Sequence, residues 1–588
     1  MSSVKAATES KVFIDIYPHG FSPYKIKWYD LAAASVITLI VLIIYILTLA
    51  PSVIAGDSGE LTTEIYQMGA CHPPGYPLYG ILGKLFTFLP VSDIAYRVNL
   101  YVAVCGAFAI FMFYLVMLKL LGFNRDTGKP SLSIHLPAVA ASFIFAFSYD
   151  FWQQSSASGK FYSLNVLLVA AMLFIMLLWY EEIMFFRNEN NNHFAERMTI
   201  FLAFIMGLSL TDHMLPMWFI VAYVLSLLPF AIIIMIKDGS VKFKKEFAVR
   251  THSLVILILL VAVSIALLMK YMVGLRLIYP EHMPMILIGW FLLPAYLSIY
   301  TILIRVKKHF GRKPALVLYY LFIVLGIVAI IDFYNYAFTN QFIQINPHLQ
   351  LSLFSFDVVN ENGITQQIPI DPIIIVGLAV IVVSLFLYGI YDGAIKKSEV
   401  EFGLADKFIE ILTYSGWMFI FAMTIYLYLM VRNVALSPLP EPKPQSWGDT
   451  VTLDILFNHM FRKQYGGRNP DYINLGGQIM AVLKVTLAQF NWAGILFAVA
   501  GFLYFILIRD SIWATYTVLA YIISYAGLIY FINFQVDPST VSTQKQYFSQ
   551  LHMIIALYIS FGFQLLLDLV QGRIKWKTLL FIKQDGEA

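Results

Sequence analysis

The chain has 588 residues, of which 60% are hydrophobic and 13% charged, against about 25% charged in soluble domains, so a water-soluble globular protein is excluded. A formal net charge of +4 gives no reason to expect nucleic acid as a partner, and two cysteines, Cys71 and Cys105, make no disulfide framework. The apolar residues come in blocks near the roughly 20 needed to cross a bilayer, which predicts an all-α polytopic membrane protein without a separate soluble domain.

In chain order, residues 1–30 are polar and read as a cytoplasmic segment, and residues 31–49 form the first span. That block is too long and too late for a cleaved signal peptide. The stretch 50–97 follows as a first outer loop, with Asp57, Glu60 and Glu64 on one face of a short helix. Asp57 can be the N-cap of that helix and Glu60 its capping-box partner, and a capping carboxylate can still accept a proton from a ligand. The run His72-Pro73-Pro74-Gly75-Tyr76-Pro77 cannot be helical, because proline lacks the amide donor and forces the preceding residue out of the helical region. Pro77 suits the first turn of another helix over 77–89.

Further spans are predicted near 98–121, 135–150, 161–180, 198–212, 214–236, 253–273, 284–304, 315–337, 371–391, 409–431, 490–508, 513–534 and 547–570, about fourteen in all. Lys237, Lys242, Lys244, Lys245 and Arg250 share one loop, Arg305, Lys307, Lys308, Arg312 and Lys313 a second, and Lys396, Lys397 and Lys407 a third. With the tail at 571–588, these fall on the side of the N-terminus, which the positive-inside rule makes cytoplasmic. The late outer loop, 432–489, breaks the rule with Arg432, Lys443, Arg462, Lys463, Arg468 and Lys484. Such a loop is either a solvated surface balanced by Asp449, Asp454 and Asp471, or a phosphate site at the outer leaflet, where the arginine fork suits phosphate oxygens. Ionisable residues near span ends, including Asp150, Lys160, Asp212 and His213, also sort to the outer side and predict a polar cavity opening there.

Gly56-Asp57-Ser58-Gly59-Glu60-Leu61, followed by His72-Pro73-Pro74-Gly75-Tyr76-Pro77-Leu78, resembles the signature of a GT-C-type family of membrane glycosyltransferases that includes protein O-mannosyltransferases of receptor ectodomains. Phe151-Trp152-Gln153-Gln154 with Tyr162-Ser163-Leu164-Asn165, Gly207-Leu208-Ser209-Leu210 with His213, Ser446-Trp447-Gly448-Asp449-Thr450, Arg462-Lys463-Gln464-Tyr465-Gly466 and Gln546-Tyr547-Phe548 resemble the same family. Lys160 departs from it, standing where an acidic residue is expected, and Thr211-Asp212-His213 departs from its asparagine-histidine pattern.

The resemblance implies a GT-C-like bundle that takes a sugar from a polyprenyl-phosphate carrier in the membrane and transfers it, outside the cytoplasm, to a protein or glycan acceptor. In that reading Asp57 is the base, with Glu60 beside it; Arg432, Arg462 and Lys463 hold the donor phosphate; His72, Tyr76, His213, Trp447 and Tyr465 line the substrate pocket. The chemistry asks for these parts, since a hydroxyl nucleophile needs a base and a departing phosphate needs cations. The carboxylates and His72 could ligate a metal, but their spacing fits no standard motif, so no metal and no cofactor beyond the lipid-linked donor is expected. A prokaryotic cytoplasmic membrane is the expected location, with the endoplasmic reticulum as the alternative. The competing functions are a transporter or flippase of lipid-linked sugars, against which the halves show no repeat, and a structural membrane subunit, which leaves the outer carboxylates and arginines unexplained.

Overall fold

A computed structural model describes residues 23–229, three strands within 351–369, and residues 404–573, with short breaks in each, the longest at 184–193 and 437–445. The chain divides into one compact unit of residues 1–238 and 418–588 and a second of 239–417.

The first unit is helical: α1 (Trp28–Leu47), α2 (Ser58–Gln67), α3 (Pro77–Phe86), α4 (Ile94–Leu121), α5 (Leu132–Ala146), α6 (Tyr149–Ser156), α7 (Tyr162–Glu181), α8 (Phe194–Asp212) and α9 (Met217–Leu225). The strands Leu351–Ser352, Ser355–Val359 and Thr365–Pro369 belong to the second unit and form an antiparallel ribbon in sequence order, an addition to the expected all-helical chain. They are followed by α10 (Leu404–Met423), α11 (Leu427–Leu436), α12 (Leu453–Met460), α13 (Leu475–Tyr504), α14 (Ser511–Ile532), α15 (Pro538–Gln544), a 3-10 turn over Lys545–Phe548 and α16 (Ser549–Val570).

Eight helices among the described residues are long and apolar enough to cross a membrane, or nine if the bent pair α5–α6 is one span, so the protein is a multi-pass membrane protein. The predicted spans 253–273, 284–304, 315–337 and 371–391 lie outside the described residues. The one expected at 135–150 is broken by 64° between α5 and α6. The span expected from 490 belongs to a helix that begins at Leu475, inside the stretch assigned to the late outer loop. A break at Asn491 (φ 51°) divides that helix, and the Asn491 side chain accepts the amides of Ala493 and Gly494, capping the second half anew.

α4 and α7 pack together at the centre, with α1 against α4 and α8 against α7. Asp93 caps α4 by accepting the Tyr96 amide, which fixes where the chain after α3 re-enters the bundle. α13 lies along α16 at a crossing made of glycines: a Cβ on Gly501 would sit 1.8 Å from the Tyr558 carbonyl oxygen, and one on Gly562 2.3 Å from that of Phe497. At the other end of the bundle, Arg125 grips Asp568, whose carboxylate also accepts the Tyr504 hydroxyl.

Candidate functional site

The site is built on α2, the turn after it, and α3. Asp57 occupies the N-cap position of α2, but its side chain makes no capping bond, and Glu60 does not reach back, so the expected capping box is absent. Each carboxylate has a tertiary partner instead. Asp57 Oδ2 lies 3.1 Å from Lys160 Nζ, with the aspartate side chain 45% exposed and the lysine 11%. Glu60 Oε1 accepts the His72 backbone amide at 2.8 Å, and His72 Nδ1 lies 2.9 and 3.0 Å from its two oxygens. With Nδ1 donating to Glu60, Nε2 is the acceptor for the Tyr76 hydroxyl at 3.1 Å.

Tyr76 is held in left-handed backbone (φ 43°) after Gly75 (φ 96°), whose position has no room for a side chain: a Cβ would meet Leu429 at 2.5 Å and His459 at 3.1 Å. Pro77 then starts α3, as expected. Glu64 faces inward, and burial, then the neighbouring Glu60 charge, pushes its carboxyl up to about 8, so it is protonated at neutral pH. The sequence placed it beside the other two acids without separating this neutral one from them.

Tyr76 opens an aromatic stack. Its ring lies 3.8 Å from that of Phe161, which lies 5.0 Å from that of His213, all nearly parallel. Tyr162 and Tyr547 flank His213 at 6.1 and 6.0 Å. His213 is buried, and its Nδ1 accepts the Leu215 amide at 3.1 Å, which leaves the ring proton on Nε2. That nitrogen has no hydrogen-bond partner among the described residues. Burial, then the charges of Arg462 and His72, hold His213 well below the usual histidine range, so it stays neutral. A neutral N–H donor in an aromatic slot beside a guanidinium suits an oxygen of a sugar or a phosphate.

The segment 446–463 closes over the turn after α2. Ser446 bridges to Ala70, and the Trp447 amide donates to the Ala70 carbonyl at 2.7 Å, bringing the half-exposed Trp447 ring 6.2 Å from that of His72, edge to face. His459 Nε2 lies 2.9 Å from the Cys71 carbonyl, and burial pulls this histidine down to about 4, so it donates as the neutral ring. Lys463 and Tyr465 form the 3-10 turn after α12; the Tyr465 side chain lies outside the described residues.

Arg432 differs from its expected role. Its Nε donates to the Met68 carbonyl and one terminal nitrogen to that of Gln67, both at 2.9 Å, and the Tyr428 hydroxyl also reaches the Met68 carbonyl. The guanidinium thus caps the last turn of α2. We expect Arg432→Gln to cost about 1.5–3 kcal/mol of stability, the worth of hydrogen bonds to a charged group. It should lower the melting temperature and leave donor KM unchanged; a raised KM with unchanged melting would return Arg432 to the phosphate.

Sequence reasoning assigned no role to Phe161, Tyr547, Gln546 or His459. Gln546 and Tyr547 sit within a quoted motif and Phe161 directly precedes one, but nothing local in the sequence marks His459, whose partner is 388 residues away.

Part of the chain is similar to known proteins. A family model described as the N-terminal domain of protein O-mannosyl-transferase TMEM260 matches residues 57–231. The protein O-mannosyl-transferase TMEM260 of Mus musculus is 33% identical over 198 residues, which is 33% of this chain and 25% of that protein. That of Dictyostelium discoideum is 30% identical over 203 residues, 34% of this chain and 22% of that protein. The matched part thus spans about a quarter of these relatives. No solved structure matches the chain. The segment that carries Asp57, Glu60, His72, Tyr76, Lys160 and His213 is therefore similar to the N-terminal domain of the TMEM260 protein O-mannosyl-transferases.

Proposed function

We propose that the protein is a membrane mannosyltransferase that moves mannose from a polyprenyl- or dolichyl-phosphate carrier to a serine or threonine hydroxyl of a protein, outside the cytoplasm, with Asp57 as the base. The observation that carries this reading is the state of Asp57. It sits at a helix N-cap without capping, stays open to an incoming hydroxyl, and is held beside a buried cation. A base needs an accessible carboxylate within reach of the attacking hydroxyl. Glu60, bound to His72 by both oxygens, orients the wall of the pocket. Arg462 and Lys463 hold the carrier phosphate, and His213, Tyr76 and Trp447 line the sugar pocket. The relatives are eukaryotic, which supports the endoplasmic reticulum over a prokaryotic membrane.

The test is transfer of labelled mannose from a polyprenyl-phosphate donor to a Ser/Thr-bearing protein domain by the purified full-length chain. Arg462→Gln should raise donor KM by about ten- to a hundredfold, the equivalent of one charge-assisted hydrogen bond, with kcat less affected. Movement of lipid-linked sugar across vesicles without transfer would favour the flippase instead.

A further inference from the structure

Lys160 stands where the family resemblance leads one to expect an acid, and the reading above gives it no part in the reaction. Its ammonium is 3.1 Å from Asp57 Oδ2, the side chain only 11% exposed. On the other side Gln546 Oε1 lies 3.4 Å away, from the 3-10 turn that also supplies Tyr547 to the aromatic stack. The backbone of Gly56, in left-handed conformation (φ 86°), runs beside it, its Cβ position in ordinary contact with Nζ at 3.5 Å. The next residue, Phe161, is the central ring between Tyr76 and His213. One enclosed cation therefore borders both the base and the slot that receives the donor.

We infer that Lys160 is a catalytic cation that passes its charge from Asp57 to the departing carrier phosphate as Asp57 takes the acceptor's proton. The inference rests on the phosphate-linked donor proposed above. The acceptor oxygen uses a lone pair to form the new bond to the anomeric carbon, and its proton goes to Asp57. The bond from that carbon to the phosphate oxygen breaks, and the electron pair stays on the phosphate. Asp57 goes from one negative charge to none, and the phosphate from one to two. The negative charge has moved from one neighbour of Lys160 to the other, and total charge is conserved. Protonation of Asp57 withdraws one anionic neighbour from Lys160, so the ammonium attracts the phosphate more strongly at the moment that group gains charge. This is selective stabilisation of the transition state.

The experiment uses the full-length protein with two soluble probes: farnesyl phosphate for the product and farnesyl-phosphate mannose for the donor. Lys160→Gln should lower kcat by about a hundred- to a thousandfold, the usual loss on removing one preorganised charge-stabilising group. It should leave donor KM within about threefold and weaken farnesyl phosphate binding about tenfold, the worth of one charge contact, while Lys160→Arg restores most of the turnover and the binding. Asp57→Asn, which imitates the protonated base, should tighten farnesyl phosphate binding, and adding Lys160→Gln should abolish that gain. A lysine that only balanced Asp57 would produce no such tightening. Unchanged farnesyl phosphate affinity in both Lys160→Gln and Asp57→Asn would overturn the inference. The binding measurements need no turnover, so a wild-type protein that transferred no sugar would count against the transferase reading alone.

Discussion

Asp57→Asn is expected to cut turnover by at least about a hundredfold with thermal stability nearly unchanged, because general-base assistance is worth about two to four powers of ten in rate. The amide keeps the size and an oxygen acceptor but cannot take a proton. The structure sharpens the contrast, since the Asp57 side chain caps nothing and its loss removes no helix-terminal bond. What stability is lost comes from the pair with Lys160, and part-exposed pairs contribute little, about 0–1 kcal/mol. Glu60→Gln separates the roles of the two acids. It retains one oxygen for His72 but loses the second acceptor, so it should disturb the pocket wall and slow turnover less than Asp57→Asn. Equal losses would show that the acids act as one unit; near-normal turnover in Asp57→Asn, with a verified donor and acceptor, would move the base elsewhere.

The second large effect is on stability. Gly501→Ala places a methyl 1.8 Å from the Tyr558 carbonyl oxygen and 2.5 Å from the Gly562 amide nitrogen, so α13 and α16 must move apart. Ordinary overpacking costs about 1–3 kcal/mol. Here the obstruction is the backbone of a facing helix, which cannot rotate away, so the cost should reach the top of that range or exceed it. Gly476→Ala in the same helix is the control: nothing lies within 4 Å of its Cβ position, and it should be neutral or stabilising by up to about 1 kcal/mol. Melting of the detergent-extracted proteins, followed by loss of monodispersity, compares the two; equal midpoints would mean that the crossing is looser than described.

The helices were legible because each is a long apolar block, and the break before α3 because Pro73, Pro74 and Gly75 leave the backbone few choices. Asp57 and Glu60 were singled out, yet their bonds were misread. Capping rules weigh only the local chain, and here a lysine from before α7 and a histidine after α2 make better partners. The same limit explains Arg432, which the positive-inside rule marked as anomalous without indicating that it turns toward carbonyls 364 and 365 residues away. The bend before α6 and the restart at Asn491 were hidden because each hydrophobic run continues through the change of direction. The stack of Tyr76, Phe161, His213 and Tyr547 joins four separated segments, and aromatic content alone marks no such meeting.

The late segment's grip on the end of α2 and the turn beyond it bears on how the protein is made. The carbonyls of Gln67, Met68, Ala70 and Cys71 are satisfied by Arg432, Tyr428, the Trp447 amide and His459. A ribosome releases the acidic helix early, and these partners emerge only after more than 350 further residues have been added and inserted. Until then the end of α2 and the turn beyond it must rely on water or a chaperone for those bonds. The loop that carries Asp57 and Glu60 therefore reaches its final form as one of the last events of biosynthesis, and a nascent chain arrested before residue 428 carries both acids without the clasp that shapes the surroundings.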